Sequence, residues 1–234
     1  MADRFQARGP RRGAPRRLLA ALAATLAATL AAGTSARAQT DGTCIPAAER
    51  AGREFGCFIT ARQELGRLPA SPALYWHLDS YPTRAAAEGA RAARSTVVES
   101  FGKTWLFTLA PEAWRAPGGE RVARIGPLPL VDADSLAAVY MEGVFRPGMQ
   151  SVVHRHPGVE AWFTLEGSMC LETPEGTLEQ RAGGPGVLVP GGVPMVLTGT
   201  GTGPRRSLVL ILQDATRPRS TPAADWTPRN LCRP

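Results

Sequence analysis

From Arg121 onward, the chain alternates short apolar runs with breaks rich in glycine and proline. Runs of this length, bounded by turn residues, are typical of β-strands. The predicted strands cover 122–125, 137–145, 151–156, 160–165, 169–173, 187–189, 195–198 and 207–213. Many short strands separated by turns indicate a mainly β domain, built as a sandwich or a barrel.

The region before these strands has a different pattern. Residues 39–72 are predicted to form an irregular, partly helical arm that ends in a proline-containing linker. The elements predicted next are a strand at 74–78, a helix at 84–94 with Thr83 as N-cap, and strands at 96–101 and 104–109 around a Gly102-Lys103 turn. Because its apolar runs are short, we expect this βαββ segment to pack on the later strands rather than fold alone.

The first 38 residues are predicted to be a secretory signal peptide. Several arginines before residue 18 are followed by an apolar, alanine-rich stretch over 18–32, and Ala36-Arg37-Ala38 fits a cleavage site before Gln39. The apolar stretch is too short to span a bilayer comfortably. We therefore expect a periplasmic or secreted protein with no membrane anchor after cleavage, and paired arginines also permit the twin-arginine route.

The charge of the chain is concentrated in this leader. The formal net charge is +7, and residues 1–38, with seven Arg and one Asp, contribute +6 of it. The remaining chain is close to neutral, so the high overall charge gives no support to nucleic-acid binding. We expect a small-molecule ligand or substrate as the partner, with a homodimer as a candidate assembly.

All four cysteines, Cys44, Cys57, Cys170 and Cys232, follow the predicted leader. An even number of cysteines in an oxidising compartment indicates disulfide bonds. Three pairings are open. A bond between Cys44 and Cys57 would close a short loop and is the first expectation, and one between Cys170 and Cys232 would attach the tail. Alternatively, Cys170 is a buried free thiol on a strand.

The strongest chemical signal lies between residues 148 and 167. His154 and His156 share one face of a strand, because strand side chains alternate. Pro157-Gly158 predicts a turn, and Glu160 then opens the returning strand, close enough to direct its carboxylate to the same place. Two imidazoles and one carboxylate form a metal-ligand set, and with open positions they form the facial triad of non-haem iron sites.

The spacing of these residues resembles the first motif of the cupins, G-x5-H-x-H-x3-E-x6-G, at each fixed position: Gly148, His154, His156, Glu160 and Gly167. The second cupin motif, G-x5-P-x-G-x2-H-x3-N, is matched by Gly184, Pro190 and Gly192, whereas Met195 replaces the histidine ligand and Gly199 the asparagine. Over roughly residues 120–218, the chain therefore resembles a single-domain, type 2 cupin.

This resemblance implies a mainly β fold, in which a cupin jelly-roll β-barrel is preceded by the small βαββ segment. The domain organisation that follows is a signal peptide at 1–38, an N-terminal arm and βαββ segment at 39–118, the barrel at 119–218, and an extended C-terminal tail at 219–234.

The resemblance also implies a divalent transition metal (Fe, Mn, Ni, Cu or Zn), held by His154, His156 and Glu160. Met195, at the position of the fourth ligand, is a candidate soft ligand, or else a packing residue. The implied activity is that of a metal-dependent enzyme acting on a small organic molecule, either a dioxygenase-like oxidoreductase or an isomerase. The alternative is a non-catalytic cupin that binds a small ligand or a metal.

Two further residues are candidates for the pocket. Trp162 and Thr164 have the same strand parity as Glu160, so they are predicted to line the pocket near the metal if the ligands point inward. Trp162 could stack on a substrate ring or simply fill the barrel. His77 is the remaining histidine, and we predict a structural role for it.

Overall fold

The computed structural model describes residues 44–69 and 71–233. The predicted signal peptide and its cleavage site lie outside the described residues. The elements, in chain order, are β1 (Ile45–Pro46), a 3-10 helix (Ala47–Glu49), β2 (Gly56–Gly66), β3 (Leu74–Tyr81), α1 (Arg84–Gly89), β4 (Ser95–Ser100), β5 (Lys103–Pro111), β6 (Glu120–Ile125), β7 (Leu136–Phe145), β8 (His154–Arg155), β9 (Val159–Glu166), β10 (Ser168–Thr173), β11 (Gly176–Arg181), β12 (Val187–Val189), β13 (Val196–Thr200), β14 (Arg205–Asp214) and β15 (Thr221–Pro222).

The central sheet has the strand order β1-β2-β7-β14-β9-β12. Its middle pair, β7 and β14, runs antiparallel from Arg205 opposite Phe145 to Asp214 opposite Leu136. Both strands are buried along almost their whole length. Their buried residues divide between two apolar clusters, one on each face of the sheet, because each face is covered by another layer.

The inner face of the central sheet packs against a second sheet with the order β11-β10-β13. Apolar side chains from both sheets form the core between them, among them Val139, Trp162, Met169, Leu197 and Ile211. Single bridges from Gln150 to Thr198 and from His154 to Met195 continue the second sheet to β8, which pairs in turn with β15. Two facing antiparallel sheets of this kind form a jelly roll, and the predicted mainly β fold is confirmed.

A third sheet, in the order β4-β5-β3-β6, covers the outer face of the central sheet. Trp76, Trp105 and Phe107 of this outer sheet are buried in one cluster with Tyr140 and Leu210 of the central sheet. The layer thus seals the central sheet from solvent on the side away from the second sheet.

Within the outer layer, the Thr83 side chain caps α1 by accepting a hydrogen bond from the Ala86 amide at 3.2 Å, as predicted. The helix ends at Gly89, short of the predicted residue 94, and glycine is a poor helix former.

Three sequence predictions need correction. The region predicted as an irregular arm contains β2, an 11-residue strand that pairs with β7 in the central sheet. The predicted barrel strand at 122–125 is β6, which pairs instead with β3 in the outer sheet. The predicted strand at 151–156 is reduced to β8, because its neighbours meet the second sheet only through single bridges. Each error concerns which partner a strand finds, and residues far apart in sequence decide that.

The C-terminal tail is extended, but it is docked rather than free on the surface. β15 pairs with β8, and the backbone amides of Arg229 and Leu231 donate to the buried carboxylate of Glu172 at 2.5 and 2.9 Å. The two expected disulfide bonds, Cys44–Cys57 and Cys170–Cys232, are both present, and the second ties the tail to β10. In the described part of the chain, no helix has the length and apolar character needed to cross a bilayer.

Candidate metal centre

Three side chains with metal-binding atoms converge where β8 meets β9. His154 lies in β8, His156 follows it, and Glu160 is the second residue of β9, across the Pro157-Gly158 turn. All three are buried, and one ligand atom from each lies within 4.8 Å of the others. Metal–ligand bonds of about 2.0–2.2 Å put two atoms on one ion at most about 4.4 Å apart. The three atoms are therefore close to the spacing that one shared ion requires.

Backbone carbonyls hold both imidazoles in one orientation. Nδ1 of His154 donates to the Val152 carbonyl at 2.8 Å, and Nδ1 of His156 donates to the Arg219 carbonyl at 2.6 Å. Because a carbonyl can only accept, each Nδ1 carries the proton when the ring is neutral, and each Nε2 keeps its lone pair. A hydrogen bond of this kind from the distal nitrogen is typical of metal-binding histidines.

Burial keeps these histidines uncharged. It lowers the pKa of His156 to about 4, and burial together with the neighbouring His156 lowers the pKa of His154. Burial raises the pKa of Glu160, although the charges of His154 and Arg205 oppose this shift. The 3.6 Å approach of His156 Nε2 to Glu160 Oε2 is thus not an ion pair at neutral pH.

The carboxylate of Glu160 is incompletely hydrogen-bonded. Its buried Oε2 has no hydrogen bond to any described residue. Leaving a buried carboxylate oxygen unpaired costs free energy, and a divalent cation bound between it and the two Nε2 atoms would remove that cost. The donor set and its burial therefore fit a transition metal.

The three ligands open into a cavity of about 80 Å³. Most of its wall is apolar and comes from β7, β13 and β14: Met141, Phe145, Leu197, Val209 and Ile211. The remaining wall includes Arg205, Ser151, Ser220 and the Cys44–Cys57 disulfide. The site thus combines a compact polar group with an apolar enclosure, which is typical of small-molecule sites.

Met195 lies beside His154 but not in the cavity wall. The two residues face each other across an antiparallel bridge, with the Met195 amide donating to the His154 carbonyl at 2.8 Å. Directly opposed residues place their side chains on the same face of a sheet. The Met195 side chain is fully buried in the core between the sheets. Its alignment beside a ligand agrees with the second motif, and its position as a ligand remains a prediction.

Trp162 and Thr164 are placed in the barrel core and are not among the residues that line the cavity. Trp162 is fully buried in the inner cluster, so it fills the barrel, which was the alternative left open by the sequence. The Thr164 hydroxyl donates to Gln180 Oε1 at 2.5 Å and accepts from Ser207 Oγ at 2.9 Å. The structure does not bring either residue to the ligand side of the cavity.

His77 lies in the outer sheet, apart from the cavity. Its Nε2 is near the carbonyls of Ala110 and Pro111, at 3.3 and 3.1 Å, and burial lowers its pKa to about 4. These contacts fit the structural role predicted for it.

Sequence analysis missed two residues of the site. Arg205 lines the cavity, and the carbonyl of Arg219 in the tail holds His156. Arg205 stands next to Arg206 after a turn, and only the register of β14 decides which of the two points inward. A backbone carbonyl leaves no signal in a sequence.

No family model matches the chain, and no curated protein does either. Among solved structures, it is similar to the polyketide cyclase RemF from Streptomyces resistomycificus (26% identity, TM-score 0.32), over 37% of this chain and 60% of that one. It is also similar to the DMSP lyase DddQ from Ruegeria pomeroyi (23% identity, TM-score 0.30), over 38% of this chain and 42% of that one. A third similar structure is that of a cupin-2 domain protein from Shewanella frigidimarina (15% identity, TM-score 0.28), over 31% of this chain and 68% of that one.

The first motif and the fold of this chain support each other. The motif residues His154, His156 and Glu160 meet at one cavity, and Gly167 makes the turn between β9 and β10 with φ at +72°. The strands that carry them form a jelly roll of two facing sheets. In its fold and in its first motif, the chain therefore resembles the cupins.

Proposed function

We propose that this protein is an exported, metal-binding cupin that acts on a small organic molecule. The observation that carries the proposal is the convergence of three buried ligand atoms within 4.8 Å at the wall of a largely apolar cavity. His154, His156 and Glu160 would hold a divalent transition metal. When bound, this metal would supply a Lewis acid or a centre for dioxygen chemistry.

The protein's own groups supply orientation and exclusion of water. The carbonyls of Val152 and Arg219 hold the imidazoles, so Nε2 of each ring is available without a rotation of the ring. Apolar side chains of β7 and β14 also line the cavity and would contact the carbon skeleton of the substrate. Such a site favours small, partly apolar molecules over large polar ones.

The metal is tested by its content in purified protein. His154→Ala and Glu160→Ala should each lower bound metal sharply, because each removes one of three ligands. The control His77→Ala removes a buried histidine outside the cavity and should leave metal content unchanged. Equal metal content in the wild type and a His154→Ala, His156→Ala double variant would overturn the proposal.

The activity is tested on the metal-loaded protein. Oxygen consumption and product analysis with small phenols, diketones and sugars should reveal an oxidoreductase or an isomerase. Binding without turnover across such a panel would instead support the non-catalytic alternative.

Export is tested by the N-terminus of the mature protein. Protein recovered from the periplasm or the medium should begin at Gln39. The two disulfide bonds fit an oxidising compartment and support this part of the proposal. Recovery of an uncleaved chain in the membrane fraction would contradict it.

A further inference from the structure

Arg205 is a buried cation that lacks hydrogen bonds at two of its three guanidinium nitrogens. It is the first residue of β14, only 2% of its surface is exposed, and it lines the same cavity as the three ligands. Neither its Nε nor its Nη2 has a hydrogen bond to any described residue. Its guanidinium carbon lies 5.4 Å from the centre of the Phe145 ring. A ring contact alone leaves most donors of a guanidinium unsatisfied.

The adjacent arginine shows the ordinary alternative. Arg206 points to the other side of the sheet, is exposed, and lies 3.6 Å from Glu166. Arg205 instead points inward, where burial lowers its pKa to about 9. The side chain is still cationic at neutral pH. Burying a charge without hydrogen bonds to satisfy it is unfavourable.

The fold leaves room for this side chain. Gly143 lies on the neighbouring strand β7, and a Cβ there would come within 3.3 Å of Nη1 of Arg205. The glycine therefore lets the guanidinium lie against the backbone of β7, at the wall of the cavity.

The charges at the cavity indicate which kind of ligand could bind the guanidinium of Arg205. Glu160 attracts it through space, but the two form no salt bridge in the described structure. One carboxylate opposite one guanidinium leaves the site neutral, and adding the divalent metal of the proposed function makes it positive. A ligand that enters this cavity is therefore favoured if it carries a negative charge.

We propose that the ligand of this cavity is a small carboxylic acid, whose carboxylate is bound by the guanidinium of Arg205. This inference rests on the proposed function and names its substrate class. A guanidinium matches a carboxylate with two parallel hydrogen bonds, and the apolar wall would contact the rest of the molecule. The cavity volume is about 80 Å³. One water molecule needs roughly 10–15 Å³ of such space, so the cavity has room for a short acid.

The test compares an acid with its neutral isostere. Propanoate and propanamide have the same shape, and their binding is measured by calorimetry to metal-loaded protein and to chelator-treated protein. Wild-type protein should prefer propanoate at least tenfold. Arg205→Met keeps an unbranched apolar stem but removes the guanidinium and its charge, so it should abolish the preference. The control Arg206→Met should keep it, and Arg205→Lys should retain part of it.

The outcomes separate this inference from the metal proposal. If chelator-treated and metal-loaded protein both prefer propanoate through Arg205, the inference stands, even if no metal is found in the purified protein. Equal affinity for acid and amide would overturn it, and so would an unchanged preference in Arg205→Met. If Arg205→Met loses metal but keeps the preference for propanoate, the role of Arg205 is instead to balance the charge of Glu160. Arg205-dependent binding of inorganic phosphate without binding of propanoate would also overturn it. If Arg205→Met does not fold, Arg205→Lys still decides, because a preference undiminished by the loss of the guanidinium fork would contradict the inference.

Discussion

The disulfide that ties down the tail should stabilise both the fold and the metal site. The double variant Cys170→Ala, Cys232→Ala opens a loop of 62 residues, and the matched variant Cys44→Ala, Cys57→Ala opens one of 13. By loop-closure entropy, the first bond contributes about 4 kcal/mol and the second about 3 kcal/mol to the free energy of unfolding. Both variants should be destabilised, the tail variant by about 1 kcal/mol more.

The same pair of variants should differ more in metal retention than in stability. The tail holds the carbonyl of Arg219 against Nδ1 of His156, and β15 pairs with β8 beside the ligands. Without the bond from Cys232 to β10, the tail loses its covalent link and keeps noncovalent contacts, among them two hydrogen bonds to Glu172 and the ion pair of Asp225 with Arg155. We therefore expect the tail variant to lose metal faster to a chelator than the Cys44, Cys57 variant, in which the bond from Cys232 to β10 stays intact.

Two measurements decide this prediction. Urea unfolding in the presence of chelator gives the free energies of unfolding without a contribution from metal binding. Release of metal to a coloured chelator under native conditions then gives the retention rates. The reasoning is refuted if the Cys44, Cys57 variant is the less stable one, or if both variants release metal at the same rate.

Three further predictions follow from single residues. Met195→His should raise metal affinity and shift preference toward Fe, Ni or Zn, because residue 195 faces His154 across a bridge; unchanged affinity and preference would show that the side chain does not reach the metal. The pKa of His77 is lowered from 6.5 to about 4, so the wild type should lose up to about 3 kcal/mol of stability through this residue as the pH falls from 6.5 to 4. His77→Gln should therefore flatten the dependence of the free energy of unfolding on pH, measured by urea unfolding. Parallel pH profiles for the two proteins would contradict this. Gly167→Ala should destabilise the fold by more than the roughly 1 kcal/mol expected for Gly183→Ala. Both glycines have positive φ, but only a Cβ at residue 167 would meet backbone, with the Pro204 carbonyl oxygen at 2.6 Å. Equal unfolding midpoints for the two variants would refute this.

The sequence predicted the elements whose partners are local. His154, His156 and Glu160 are joined by a single turn, so strand parity and spacing sufficed to bring them together. The hairpin of β4 and β5 could also be predicted, because its two strands are neighbours in sequence. The bonds Cys44–Cys57 and Cys170–Cys232 were the first and second expectations, the sequence left all three pairings of the four cysteines open, and the structure has both bonds.

The remaining features depend on contacts that are distant in sequence. β2 contains Arg62, Gln63 and Glu64, and its polar residues conceal a strand that is stabilised by hydrogen bonds to β7. β14 is buried on both faces, so its apolar residues do not alternate with polar ones, and period-2 reasoning cannot tell that Arg205 faces the cavity. For Trp162 and Thr164, parity placed the side chains on the inner face but could not separate the cavity from the core.

The hydrogen bond from His156 to Arg219 ties the metal site to the end of the chain. A ligand in the middle of the sequence is oriented by a residue 63 positions later, and that residue lies in a segment anchored through Cys232. The Arg219 carbonyl is synthesised after the ligands and after the strands of both barrel sheets, because it follows them in the chain. The ligand set would reach its final geometry only once this tail is docked. Metal would then be captured at full affinity only by finished, oxidised protein, and the place where the disulfide forms would decide which pool of metal ions the site meets.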